Sequence, residues 1–575
     1  MKKIIQRQAN PNIQFSDGVP SLLQQIYARR DIADEAQLDL GLSNLLPANQ
    51  LKGLDKALEL LQQALTNQWR ITIVGDFDAD GATSCALTVL ALRGFGAHSV
   101  KYLVPDRFKY GYGLTPEIVE VAQQNNPDLI ITVDNGISSL DGVDRAKQLG
   151  IKVLVTDHHL PGSVAPEADA IVNPNQIGCG FSSKNLAGVG VAFYLMAALR
   201  TELQKQGWFE RQGLTPPTMA EYLDIVALGT VADVVPLDRN NRILVSHGLQ
   251  RMRAGRCRPG IQALVAVAKR NLPNLVAADL GFSVGPRLNA AGRLTDMSKG
   301  IECLLEDDPY RAQQLAHQLD SLNLERRNIE GGMQQQALAA LKQLHLNKAD
   351  DMPWGLCLFQ RDWHQGVVGI LASRIKERFH RPTIAFAQAD GGEIKGSARS
   401  IPGFHIRDAL DAVASRHPGL IVKFGGHAMA AGLSLKMDSF ADFQQAFDQE
   451  VRRQLTREDL DAVLYVDGQL QDTELDLSLA KLLRQAGPWG QGFPEPLFDG
   501  EFELLDQRIV GEKHLKMSLG IPATKRVLDA IAFNVDLSQW PSSGVQRVYL
   551  AYRLEVNEFR GVENPQLVVE HLQAL

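Results

Sequence analysis

Three carboxylates alternate in the string Gly75-Asp76-Phe77-Asp78-Ala79-Asp80-Gly81. Held side by side they repel one another, and a divalent cation neutralises them best; hard oxygen ligands suit Mg²⁺ or Mn²⁺. The string also matches the start of an EF-hand loop, which needs a Glu at its twelfth position and a preceding helix. Counting from Asp76, the twelfth residue is Leu87, and Ile71–Val74 reads as a strand. Two further clusters, Thr132-Val133-Asp134-Asn135-Gly136 and Thr156-Asp157-His158-His159, each follow a short apolar run, as the first does. A fourth candidate is Asp233 in Gly229-Thr230-Val231-Ala232-Asp233-Val234-Val235-Pro236, which alone would read as a loop or capping residue. Carboxylates and a histidine around metal ions can hydrolyse phosphoesters.

Something must bring these clusters together. The runs Ile71–Val74, Val100–Val104, Leu129–Val133, Val153–Val155 and Ala170–Val172 are short and rich in β-branched residues, with helical stretches such as Thr83–Arg93 and Glu117–Gln124 between them. This pattern predicts a doubly wound parallel α/β sheet, whose carboxyl edge collects ligand-binding residues. A mostly helical stretch follows to about residue 340; Pro309–Glu330 reads as one long helix that Gly331-Gly332 should break or kink. A second α/β pattern starts near residue 353, with strands at Leu356–Phe359, Thr383–Ala387 and Gly432–Leu435. Short strands near Glu501–Leu505, Arg547–Leu554 and Gln566–Glu570 predict a small C-terminal β-barrel. The expected division is an N-terminal segment (1–50), a first α/β domain carrying the acidic clusters (51–240), a helical connector (241–345), a second α/β domain (346–458) and a C-terminal barrel (459–575).

The chain has 575 residues, 45% hydrophobic and 22% charged, with a formal net charge of −7. That argues against a protein coated uniformly by nucleic acid but leaves room for a local basic groove. No apolar run is long enough to span a bilayer, and MKKIIQRQANPNIQF has no apolar stretch behind its lysines, so neither a signal peptide nor a membrane partner is expected. Five scattered cysteines without a CxxC pair fit a reduced, cytoplasmic setting.

The strings GDFDADG, TVDNGI, TDHH and GTVADVVPL resemble the successive motifs of the DHH phosphoesterase superfamily. DWHQGVVGILASR, KGSARS and FGGHAMAAGLSL, within residues 361–435, resemble the DHH-associated substrate domain. GFSVGPRLNAAGR (281–293), the chain length and the β-rich C-terminal part are similar to the branch of single-stranded-DNA exonucleases. The resemblance implies two ions, Mn²⁺ or Mg²⁺. Asp78 and Asp134 would help hold one; Asp80, Asp134, His158 and Asp233 would hold the other. Some superfamily members carry a histidine where this chain has Val74, so Asp76 would fill in at the first site. His159 would face the scissile phosphate, and Asp157 would orient a histidine.

On the substrate side, Arg287, Asn289, His364, Ser397, Arg399, Gly425, Gly426 and His427 are the candidates. Ser397 and Arg399 alternate in strand fashion, so they share a face and can grip a phosphate, by resemblance the terminal 5′-phosphate. The activity implied is 5′→3′ hydrolysis of single-stranded DNA in repair and recombination. Single-strand-binding protein and other repair or recombination factors are the implied partners. Two alternatives exist within the superfamily. Phosphodiesterases for short RNAs or cyclic dinucleotides are usually shorter and lack the barrel. Non-catalytic replication scaffolds have lost acidic motif residues, all of which are present here.

Two basic stretches suit nucleic acid. Arg239, Arg242, Arg251, Arg253, Arg256 and Arg258 read as a solvated helix face or as the wall of a DNA groove. Lys513, His514, Lys516, Lys525 and Arg526 would give the barrel a basic side. Trp489, Phe493, Phe498 and Trp540 read as core residues first and as base-stacking residues second.

Overall fold

The computed structural model describes residues 3–30, 32–106, 109–343, 352–511, 513–521, 526–535, 540 and 544–575. Five parallel strands form the first sheet: β1 (Arg70–Gly75), β2 (Ser99–Leu103), β3 (Leu129–Val133), β4 (Lys152–Thr156) and β5 (Ala170–Val172), in the order β2-β1-β3-β4-β5. All five residues of β3 are buried, as expected for a strand covered on both faces. Helix α1 (Ala79–Gly94) follows β1 directly. Its N-cap is Asp78, whose carboxylate accepts from the Asp80 and Gly81 N–H groups. Gly81 is needed at this turn because a Cβ there would lie 2.4 Å from the Asp76 carbonyl oxygen. Helices α2 (Gly188–Lys205), α3 (Leu223–Ala232) and α4 (Arg239–Arg253) complete the catalytic fold, and α5 (Gly285–Leu294) belongs to the connector.

The predicted break at Gly331-Gly332 is absent: α6 runs unbroken from Pro309 to Gln343. Two helical glycines cost about 2 kcal/mol relative to alanine. Met333, Ala337 and Leu341, four residues apart on one stripe and all buried, offset that cost. Arg326 and Arg374 both pair with Glu330 just before the glycines.

Residues 6–321 and 465–575 make one compact unit; residues 1–5 and 322–464 make the other. The second unit holds a five-stranded sheet of β6 (Leu356–Phe359), β7 (Thr383–Gln388), β8 (Glu393–Arg399), β9 (Lys423–Gly426) and β10 (Ala430–Lys436), ordered β9-β10-β8-β7-β6. Helix α7 (Val368–Phe379) lies against β7 and β8. Phe386, Phe443 and Phe447 anchor this core.

The C-terminal part is a closed barrel of β11 (Phe498–Val510), β12 (His514–Ile521), β13 (Arg526–Ala532), β14 (Arg547–Phe559) and β15 (Val562–Ala574), in the order β11-β12-β13-β15-β14. Closure leaves no unpaired edge. Leu515, Met517, Leu519 and Ile521 alternate inward along β12.

Candidate metal centre

Every acidic cluster sits where a strand or helix ends. Asp76 follows β1, Asp134 follows β3, Asp157 and His158 follow β4, and Asp233 caps the C-terminus of α3. Ligand atoms of Asp76, Asp78 and Asp134 lie within 4.8 Å of one another, and so do those of Asp80, His158 and Asp233. His158 Nε2 is 3.1 Å from Asp134 Oδ1, 3.5 Å from Asp233 and 3.9 Å from Asp80, so it ties the two sets together. Asp134 takes a left-handed backbone, φ 60°. That costs a non-glycine residue some strain, of the kind found where function fixes a side chain.

The electrostatics call for cations. Burial, followed by the charges of Asp80 and Asp78, pushes the Asp134 carboxyl well above the carboxylate range. Burial and Asp78 push Asp80 up to about 7, although the Gly188 and Val189 N–H groups donate to it at 2.6 and 2.9 Å. Asp233 is raised by burial, then by Asp80 and Asp78. Burial lowers His158 to about 4, so its imidazole is neutral at physiological pH and free to ligate. Asp134 Oδ1 and His158 Nε2 are both buried, and neither makes a hydrogen bond among the described residues. Buried acceptors and like charges without compensation fit divalent metal, and the oxygen-rich, thiolate-free donor set suits Mn²⁺ or Mg²⁺.

Around the ligands lies a supporting layer. His159 Nδ1 is 2.7 Å from Asp157, whose oxygens also accept from the His158, His159 and Ile137 N–H groups. Burial would raise Asp157, but these bonds and the imidazole charges hold it below the ordinary range. Burial likewise opposes protonation of His159, yet Asp157 and then Asp76 and Asp78 carry it up to about 9. Asn135 is fully buried and donates to the Val74 and Val133 carbonyls, locking β1 to β3 behind the site. Three contributors were not singled out from the sequence. Tyr112 places its hydroxyl 3.2 Å from both His159 Nδ1 and the Asp134 carbonyl. Gly188 and Val189 open α2, and a Cβ on Gly188 would meet Asp134 at 2.6 Å. The glycine-rich string GVGVAF was the available signal for that approach.

Two substrate candidates have partners within the same unit. Arg287 pairs with Asp320 and donates to the Ser283 and Val267 carbonyls. Asn289 accepts from the Ala79 N–H and so steadies the first acidic loop. The remaining candidates lie in the other unit. Ser397, Gly432 and Gly425 align across β8, β10 and β9, so two glycines leave an open shelf beside the serine. Arg399 lies against Gly369 in the first turn of α7, donating to its neighbour's carbonyl, with no carboxylate partner among the described residues. His427 donates its N–H to Ala430 at the β9–β10 turn, where Gly426 has φ 142°. His364 Nδ1 accepts from Gly366, in the loop before α7.

Four arginines of the tract are engaged within the fold. Arg242 is buried and stacks 4.4 Å over Phe493. Arg253 and Arg258 donate to carbonyls of Leu275, Leu304 and Leu305, and Arg239 to Ala36. Helix ends in the connector need capping donors, and the arginines supply them. On the barrel, Lys516 pairs with Asp529, Arg526 donates to Asp472, and Lys525 lies outside the described residues. Phe493 and Phe498 are buried, Trp489 stacks 5.0 Å from Phe493, and the Trp540 indole N–H donates to Gln507.

A doubly wound sheet carrying acidic and histidine ligands at its carboxyl edge, with a separate unit holding an unneutralised arginine, defines a metal-dependent DHH-type phosphoesterase. The chain matches the DHH family, N-terminal domain over residues 70–230, the DHHA1 domain over 354–453 and the RecJ OB domain over 466–571. It is 57% identical to the single-stranded-DNA-specific exonuclease RecJ of Dickeya dadantii, covering 99% of both chains. It is 54% identical to that of Escherichia coli, covering 100% of both. The crystal structure of Thermus thermophilus RecJ with Mn²⁺ superposes with a TM-score of 0.78 at 31% identity, over 97% of this chain and 76% of that one. The chain belongs to the RecJ family of exonucleases.

Proposed function

We propose that this protein removes nucleotides from the 5′ end of single-stranded DNA, hydrolysing phosphodiester bonds at a two-ion centre. The observation that carries the reading is the pair of ligand sets joined by His158, with Asp134 Oδ1 and His158 Nε2 buried and without hydrogen bonds among the described residues. Asp76, Asp78 and Asp134 would hold one Mn²⁺ or Mg²⁺; Asp80, His158 and Asp233 would hold the other, with Asp134 shared. When bound, the ions acidify water and neutralise charge on the phosphate. The chain's own groups do the rest. His158 stays neutral as a ligand. His159, kept protonated by Asp157, presents a cation to the scissile phosphate. Tyr112 fixes the orientation of the His159 ring.

Ser397 and Arg399, beside the glycine shelf, would bind the terminal 5′-phosphate. The Arg399 guanidinium is half-buried, has no carboxylate partner among the described residues and lies next to a helix's first turn, which supports its use as an anion grip. The same reading makes single-stranded DNA the substrate and single-strand-binding protein a partner, with the work done in the cytoplasm during repair and recombination. No described helix is long and apolar enough to cross a membrane. The test is digestion of 5′- and 3′-labelled DNA and RNA oligonucleotides, single- and double-stranded, with Mn²⁺, Mg²⁺ or EDTA. Release of labelled mononucleotide first from 5′-labelled single-stranded DNA supports the assignment. Preference for RNA, or release from the 3′ end, would overturn it.

A further inference from the structure

The segment Leu280–Val284 forms a π-helical turn, a geometry that is rare and concentrates at functional sites. Leu280, Ser283 and Val284 are buried, yet Phe282 between them is 86% exposed. This turn stands against the end of α3. A Cβ on Gly285 would lie 3.0 Å from the Ala232 Cβ, and one on Gly281 would lie 3.3 Å from Val231 Cγ1. The next residue is the ligand Asp233, and after it comes Val234. Val234 is a β-branched residue at φ 62° and is 63% exposed. Helices commonly end in this conformation, but on glycine or asparagine. Valine is a genuine outlier there, so an apolar side chain is displayed at a conformational cost. One exposed apolar side chain thus directly follows Asp233, and the turn that displays the other packs on the helix that Asp233 ends, where solvation alone would favour polar residues.

We propose that Phe282, together with Val234, is the platform on which a nucleobase next to the scissile phosphate stacks. The proposal rests on the single-stranded-DNA reading above and deepens it. An unpaired base offers its face to an aromatic ring, whereas a base inside a duplex is already stacked on both sides. The platform would therefore position the strand and contribute to the preference for single strands. Phe282 is a positioning residue, since it acts on the base and not on the reacting atoms.

The experiment compares wild type with Phe282→Ala, Phe282→Trp and Val234→Asn on oligo(dT), and on the same strand with one abasic position walked from the 5′ end. For Phe282→Ala we expect KM to rise roughly 5- to 150-fold, the range of one lost base–aromatic stack. Its melting temperature should be unchanged, because the ring is exposed. Phe282→Trp should restore KM, and its added indole emission should be quenched by oligo(dT) without Mn²⁺, where no turnover occurs. Wild type should lose a similar factor when the abasic position reaches the platform, and Phe282→Ala should not respond. Val234→Asn, which accepts the left-handed backbone, should keep its melting temperature while KM rises. If wild type degrades the strand and Phe282→Ala matches it on both substrates, the platform is refuted. A lower melting temperature with unchanged KM for Val234→Asn would remove Val234 from it. If wild type degrades no single strand, the exonuclease reading itself fails, and the platform with it.

Discussion

The Asn289 side-chain oxygen accepts a hydrogen bond from the Ala79 N–H at 2.8 Å, joining the connector to the first acidic loop across 210 residues of sequence. Two helical turns of α5 are pinned there, since a Cβ on Gly292 would lie 1.8 Å from the Phe77 carbonyl oxygen. Asn289→Ala leaves the buried Ala79 N–H without its acceptor. We expect a loss of about 1–3 kcal/mol in urea unfolding and weaker Mn²⁺ binding by calorimetry. A Mn²⁺ titration identical to wild type would show that the loop holds its shape without the connector.

Asp134→Asn should abolish hydrolysis while leaving the fold intact. Asparagine accepts the left-handed backbone at this position. It also removes one charge from a crowded acidic site, so the metal-free variant should melt no lower than metal-free wild type. Mn²⁺ should raise the melting temperature of wild type and not of the variant. Normal turnover of the variant at saturating Mn²⁺ would sink the shared-ligand assignment.

Metal binding should be linked to protons. Asp80, Asp134 and Asp233 all have folded-state values raised above the unfolded range, Asp80 to about 7. In the metal-free protein such groups favour folding less as pH rises from their unfolded value, about 4, through their folded values. Metal reverses the sign, since it binds the deprotonated forms. Metal-free stability should therefore fall between about pH 4 and pH 7 as these groups ionise, while apparent Mn²⁺ affinity rises over the same window. Calorimetry in buffers of different ionisation enthalpy should register proton release; identical heats would contradict the linkage.

Arg399→Ala should slow cleavage of 5′-phosphorylated strands more than of 5′-hydroxyl strands. A charge-assisted phosphate contact is worth roughly 1.5–3 kcal/mol, about one to two decades. Lysine should rescue only in part, because it lacks the bidentate fork. Equal losses on both substrates would place the terminal phosphate elsewhere.

The barrel shares a buried ion pair with the N-terminal segment. Arg30 bonds bidentately to Asp467, with both side chains at 0% exposure, and the Tyr27 hydroxyl donates to the Ala486 carbonyl. Asp467→Ala should cost about 3–5 kcal/mol, because it strands a buried guanidinium. Replacing both partners with apolar residues should recover much of that loss. Equal stability of the single and double variants would show that water reaches the pair.

The parallel sheet was legible because its strands are short, β-branched and punctuated by polar clusters at their carboxyl ends. The convergence of the acidic clusters with His158 was legible for the same reason. Arg287 and Asn289 were harder: a string marks a segment but not whether its polar groups point to substrate or into the protein, and both turn inward. The arginine tract misled because composition records charge but not the carbonyls that consume it. The glycine pair in α6 misled because propensity omits the buried stripe of Met333, Ala337 and Leu341. Tyr112 carried no signal, since its partners are distant in sequence.

The Arg30–Asp467 pair also sets a schedule. The two residues are 437 positions apart, and residues 6–321 share one compact unit with 465–575. At a synthesis rate of about 5–20 residues per second, Arg30 leaves the ribosome roughly 20 to 90 s before its partner. During that interval the nascent catalytic unit carries an unmatched cation and an uncovered apolar face around Tyr27. The ribosome delivers the residues of the candidate metal centre well before the segment that neutralises Arg30.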